Sequence, residues 1–108
     1  MSVSSEIIVK AFIKMMNKNF LDAYLVKKGD TKSGEIFLKV SNLHGYAMLY
    51  SYRKSNINSP WEIYGSESWQ IDTDINKKLD KITNIDSDAW IIELEDKKEE
   101  FLNLKGET

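Results

Sequence analysis

An α+β domain is the fold class this sequence predicts, and three observations lead to it. The apolar period is 3.6 near the start, becomes 2 over the middle, and returns to 3.6 before a last strand-like run. The connections between the strand-like runs are too short for parallel crossovers, which predicts an antiparallel meander. The 108 residues fit one domain, and a second would not fit beside it. The expected order is α-β-β-β-β-α-β, with a C-terminal stretch from about residue 97 that is partly flexible.

Each element has its own signal. Ser4 or Ser5 can cap a helix reaching about Asn19, in which Ile8, Phe12, Met15 and Met16 recur at helical spacing. Ile7, Ala11 and Ile13 widen that stripe, while Lys10, Lys14 and Lys18 line the other side. Ala23 to Lys28 and Glu35 to Ser41 read as two strands of a hairpin around Gly29-Asp30-Thr31-Lys32-Ser33-Gly34. Tyr46 to Arg53 and Trp61 to Ser66 supply the third and fourth strands, separated by the loosest polar stretch. Asp72 or Thr73 can cap a second helix to about Asn84, carrying Ile75, Leu79 and Ile82. Trp90 to Asp96 is the fifth strand; beyond it Phe101, Leu102 and Leu104 can still pack. Trp61 and Trp90 belong to the core by this reading, and Trp69 to the seam between the fourth strand and the second helix.

Composition narrows the chemistry. No cysteine is present, which removes disulfides, thiolate metal sites and a cysteine nucleophile, and fits a reducing cytoplasm. With no signal-peptide pattern and no apolar run near membrane-span length, a cytoplasmic location without a membrane partner is expected. Residues 1–54 hold nine Lys or Arg against four Asp or Glu; residues 55–108 hold six against thirteen. The split can steer partners, but no dense basic cluster appears and the isoelectric point is about 5.4, so nucleic acid is not the favoured partner.

The segment VKAFIK, the turn in VKKGDTKSGEIFLKV, the Gly45 turn, Trp61 and the run DSDAWIIELED follow one another at a recognisable spacing. In this they resemble an alphaproteobacterial family known as domain of unknown function 1491, over about Val9 to Asp96. The most specific pieces are Gly29-Asp30 closed by Gly34, and Asp86-x-Asp88-x-Trp90. Lys32 and Ser87 depart from the family pattern, which favours an acid and a proline there, and Lys32 argues against an acidic metal loop. The resemblance implies a shared domain and supplies no activity, substrate or cofactor.

Candidate chemistry is sparse. Asp30, Glu35 and Lys39 could suggest metal-assisted hydrolysis, and Glu93 with Glu95 could supply paired carboxylates. The simpler account has Asp30 satisfying turn amides and the others on solvated strand faces. Asp72 and Asp74 read as helix-start acids, Asp86 and Asp88 as turn residues. His44, the single histidine, lies in a turn and cannot by itself make a metal site. No metal and no cofactor are expected.

The aromatic pattern is the more informative feature. Tyr46, Met48, Tyr50 and Tyr52 share one face of the third strand, and Phe37 and Lys39 lie on a neighbouring strand. If both helices cover the same side of the sheet, these six residues form an exposed interaction face. That face suits a non-enzymatic protein-interaction module, with self-pairing into a homodimer as its simplest use. It also suits stacking of single-stranded nucleic acid. A metal-dependent hydrolase built on Asp30, Glu35 and Glu93 is the third and weakest reading.

Overall fold

The computed structural model describes residues 3–105. Helix α1 (Ser5–Lys18) leads to β1 (Asp22–Lys27), β2 (Ile36–Ser41), β3 (Tyr46–Tyr52), β4 (Trp61–Ile63) and β5 (Gln70–Ile71). Helix α2 (Asp72–Ile85), β6 (Trp90–Glu95) and α3 (Phe101–Lys105) complete the chain. The fold is α+β, as the sequence predicts, and the strands join in one mixed sheet. Within the tail from about residue 97, α3 forms over 101–105 with Phe101 buried; residues 106–108 lie outside the described residues.

The strand order is β1-β6-β2-β3-β4, with β5 also paired to β3. The meander is therefore real for β2, β3 and β4, but β1 does not pair with β2. Strand β6 lies between them, antiparallel to β1 and parallel to β2. The physical reason is in the composition of the inserted strand. Trp90, Ile91, Ile92 and Leu94 are all buried, a near-continuous apolar run that suits a strand covered on both sides.

The segment between β1 and β2 is a clamp rather than a hairpin turn. The Asp30 amide donates to the Asp88 carbonyl at 2.9 Å, and the Trp90 indole donates to the Asp30 carbonyl at 2.6 Å. A Cβ at Gly29 would come within 2.1 Å of the Asp88 carbonyl oxygen, and one at Gly34 within 2.2 Å. Both glycines thus serve close backbone approach.

The same segment receives the start of α1. Ser4 is the cap, accepting from the Ile7 amide. Ser5, fully buried, donates its hydroxyl to the Gly34 carbonyl at 2.6 Å. The other end of α1 closes in a Schellman motif. The Leu21 amide donates to the Met16 carbonyl and the Phe20 amide to that of Asn17, with Phe20 in the left-handed region at φ 63°.

The two long helices lie on opposite sides of the sheet. Val9, Phe12 and Met16 of α1 pack with Leu38, Val40, Tyr50, Ile92 and Leu94 on one side, where Phe101 of α3 joins them. Ile75 and Leu79 of α2 pack with Phe37, Ala47, Leu49 and Ile91 on the other. Trp61 and Trp90 are buried on the α1 side. Trp69 is half-buried against that same side, not at a seam with α2.

Candidate functional site

This three-layer arrangement corrects the expectation of one exposed aromatic face. Phe37 and Lys39 point to the α2 side, whereas Met48 and Tyr50 point to the α1 side; all four are buried. Tyr52 is half-buried against the α1-side core, and among the six only Tyr46 is exposed. A helix on each side leaves no bare sheet face for the set to share.

Lys39 has a specific place. Its ammonium lies 2.8 Å from an Asp72 carboxylate oxygen and 3.6 Å from one of Glu93, and donates to the Asn76 side-chain oxygen at 2.9 Å. Asp72 begins α2 but makes no capping bond; its carboxylate serves Lys39 instead. The cluster holds α2 on the sheet, since a buried cation needs both its charge partners and its hydrogen bonds. Beside it the Tyr24 hydroxyl donates to Glu95 at 3.2 Å, and desolvation first, then hydrogen bonding to Glu93 and the Glu93 and Glu95 charges, push that phenol upward.

Asp30 accepts from the Lys32 and Ser33 amides and the Ser33 hydroxyl, which hold its carboxyl below the ordinary value. It satisfies turn amides, as the simpler account has it. Asp86 likewise accepts from the Asp88 amide. Asp30, Glu35 and Glu93 do not converge. Among the described residues no group of three or more His, Cys, Asp or Glu could hold a metal ion. His44 is exposed in its turn.

An apolar concave feature of the surface lies elsewhere, beside α1. A groove of about 580 Å³ runs between α1 and the segment joining β3 to β4. Its floor is aromatic: Phe12 and Trp61 have ring centroids 4.9 Å apart, and Phe101 meets both. One wall carries Ile7, Ala11 and Met15; the other carries Tyr52, Ile57 and Pro60. Ile7, Met15 and Ile57 are 59%, 57% and 85% exposed, so the rim is apolar yet open to solvent.

The groove depends on α3. The Asp96 carboxylate, itself buried, accepts from the Glu100 and Phe101 amides at 2.8 and 2.9 Å, and so seats Phe101 beneath the floor. Sequence reasoning missed this site. Ile7, Ala11 and Met15 form a second row at four-residue spacing beside the inward row of half-buried Ile8 and buried Phe12 and Met16. That second row was the available signal. Ile57, a lone apolar residue in a polar loop, gave none.

Helices on both sides of a mixed sheet, an aromatic core closed by a short last helix, and an apolar groove next to the first define a small three-layer α+β domain. The chain belongs to the family described as Protein of unknown function (DUF1491), which it matches over residues 3–103. It is similar to a DUF1491 family protein from Caulobacter crescentus CB15 known from a crystal structure, with 28% identity and a TM-score of 0.73, covering 90% of this chain and 89% of that one. An NMR structure of a DUF1491 family protein from the same organism gives 27% identity and a TM-score of 0.71, covering 91% and 89%. The solution structure of protein Atu0922 from A. tumefaciens shares the fold at 24% identity and a TM-score of 0.68, covering 94% and 92%. No curated protein matches the chain.

Proposed function

We propose that this chain is a small non-enzymatic protein-interaction module of the cytoplasm, and that it receives an apolar segment of a partner in the groove beside α1. One observation carries the reading: exposed Ile7, Met15 and Ile57 surround a concave aromatic floor. Isolated exposed apolar residues are ordinary, but a concave cluster of them is the usual form of a recognition site. The absence of cysteine supports a reducing compartment. Panning random peptides of about 16 residues, long enough for four helical turns, against the purified chain tests it. Enriched peptides should shift the methyl resonances of Ile7, Met15 and Ile57, and Ile57→Asp should abolish their binding. No enrichment, or peptides that shift other methyls, overturns the reading.

Self-association is the second reading, and a different surface supports it. β1 is an edge strand whose Tyr24, Leu25 and Val26 are exposed, and the adjoining Phe20 is 97% exposed. Antiparallel self-pairing centred on Leu25 would set Asp22 of one copy against Lys28 of the other. Light scattering that finds a monomer at every accessible concentration removes this reading.

A further inference from the structure

We infer that the occupant of the groove is an acidic amphipathic helix of a partner protein. The inference rests on the function proposed above and adds the partner's chemistry.

Backbone chemistry selects a helix. The α1 wall offers no backbone donors, because the amides of α1 beyond its first turn are spent within the helix. An extended peptide pressed on such a wall would bury its own amides and carbonyls without partners. A helix brings its backbone already paired. Shape agrees with this. Ala11 stands between Ile7 and Met15 in one four-residue row, so a small side chain separates two larger ones and leaves a notch. A ridge of a second helix fits such a notch in ridges-into-grooves packing. Helix α1 has 14 residues, about 21 Å of wall, enough to meet apolar side chains spaced i, i+4 and i+7 on the partner. Met15 and Met16 add adaptable surface.

Charge selects an acidic one. Among the described residues the lining contains a single charged side chain, Lys54, and no acid. Lys54 is exposed and its ammonium donates to the Lys32 carbonyl at 3.4 Å. Lys14 and Lys18, three residues beyond Ala11 and Met15 on α1, lie outside the lining and are exposed on the helix surface next to that row. Among the described residues none of these three lysines has a carboxylate within ion-pair distance; the remaining lysine of α1, Lys10, pairs with Glu6. An apolar trough bordered by unpaired cations complements a helix with one apolar stripe flanked by Glu or Asp.

The peptides selected on the purified chain supply the test. They should carry apolar residues at i, i+4 and i+7, bear net negative charge, and gain helical circular dichroism on binding. Lys54→Glu should weaken them at least about fivefold, and added salt should weaken them too, because rim charges act through screened attraction. The methyl spectrum of the Lys54→Glu chain should match that of the parent away from residue 54, since this exposed side chain supports no core contact. Groove-binding peptides without an acidic bias, or indifferent to Lys54→Glu, overturn the inference and leave the interaction module standing. Failure to select any groove-binding peptide overturns both. So does laurate that occupies the groove and displaces every selected peptide at equal concentration, since the seat would then be one for single-chain lipid.

Discussion

The two sides of the sheet are built from the same strands in different chemistry. Successive residues of β2 divide between them: Ile36, Leu38 and Val40 go to the α1 side, Phe37 and Lys39 to the α2 side. On the α1 side the core is aromatic, with Phe12, Tyr50, Trp61 and Phe101 in edge or tilted contact. On the α2 side the core is smaller and mainly aliphatic, and its helix is held at one end by the Lys39 cluster. The α1 layer also ends in a trough that its own side chains leave open. Stability is therefore shared between the sides, while the proposed recognition belongs to one. The following perturbations would break or sharpen that contrast.

The largest effect is expected at Trp90. Its ring is buried on the α1 side and its indole donates to Asp30, so it packs the core and ties the β1–β2 segment to the start of β6. Trp90→Ala should cost about 3–5 kcal/mol in denaturant titration. A loss under about 1 kcal/mol would mean that the clamp and the core on this side contribute little, and the contrast would fail.

On the α2 side the test is electrostatic. Lys39→Ala would leave Asp72 and Glu93 facing each other without their cation, and should cost about 2–4 kcal/mol. Lys39→Met fills the same volume without the charge and should cost less than alanine does, with Asp72→Asn added to lower the remaining repulsion. Equal losses from alanine and methionine would show that packing, rather than the ion pairs, holds α2 down.

A pH titration separates the sides further. Burial first, then the charge of Asp96, pushes the Tyr50 phenol above its ordinary 10.0. The unfolded chain therefore ionises before the folded one does. Stability from this residue is complete below pH 10.0 and declines as pH rises past that value toward the folded-state value. Tyr50→Phe should flatten the alkaline part of the stability curve and leave the neutral part nearly level. An unchanged alkaline slope would show that the α1-side core does not protect this phenol.

Much of the fold was readable, and the errors share a cause. Helix α1 and its serine start, the positions of β1, β2, β3 and β6, and the buried Trp61 and Trp90 all follow from periodicity, which local sequence carries. The fourth strand, expected over 61–66, stops at Ile63, and the two-residue β5 is too short to leave a period. Partnership between strands is not local. Gly29 and Gly34 look like turn glycines, yet they exist because the Asp88 carbonyl approaches each within a Cβ's reach. The two family signatures, Gly29-Asp30 with Gly34 and Asp86-x-Asp88-x-Trp90, are thus halves of one clamp that meet only in the folded chain. The six residues expected to share one exposed face are divided between two for a related reason. Alternation shows that Phe37 and Tyr50 each have a preferred side, but not that the sides are opposite. That depends on register, in which Phe37 faces Ser51 and Leu38 faces Tyr50.

The smallest effects are expected where recognition is proposed, and they sharpen the contrast most. Ile57 is 85% exposed in the loop before β4, so Ile57→Asp should change stability by no more than about 0.5 kcal/mol while removing the apolar rim. Phe20 offers the complementary case at the end of α1. Its left-handed backbone favours glycine, and its ring is almost wholly exposed, so it gives up stability at a site where the fold gains nothing from the side chain. Phe20→Gly should therefore stabilise the chain, by about 0.5–1 kcal/mol after allowance for the greater freedom of unfolded glycine. If Phe20→Gly instead destabilises it, the ring packs on the fold after all, and the β1 end of the molecule ceases to be a candidate surface for self-association. If both substitutions behave as expected, Ile57 and Phe20 mark two exposed apolar positions that stability does not require, one in the groove and one at the sheet edge.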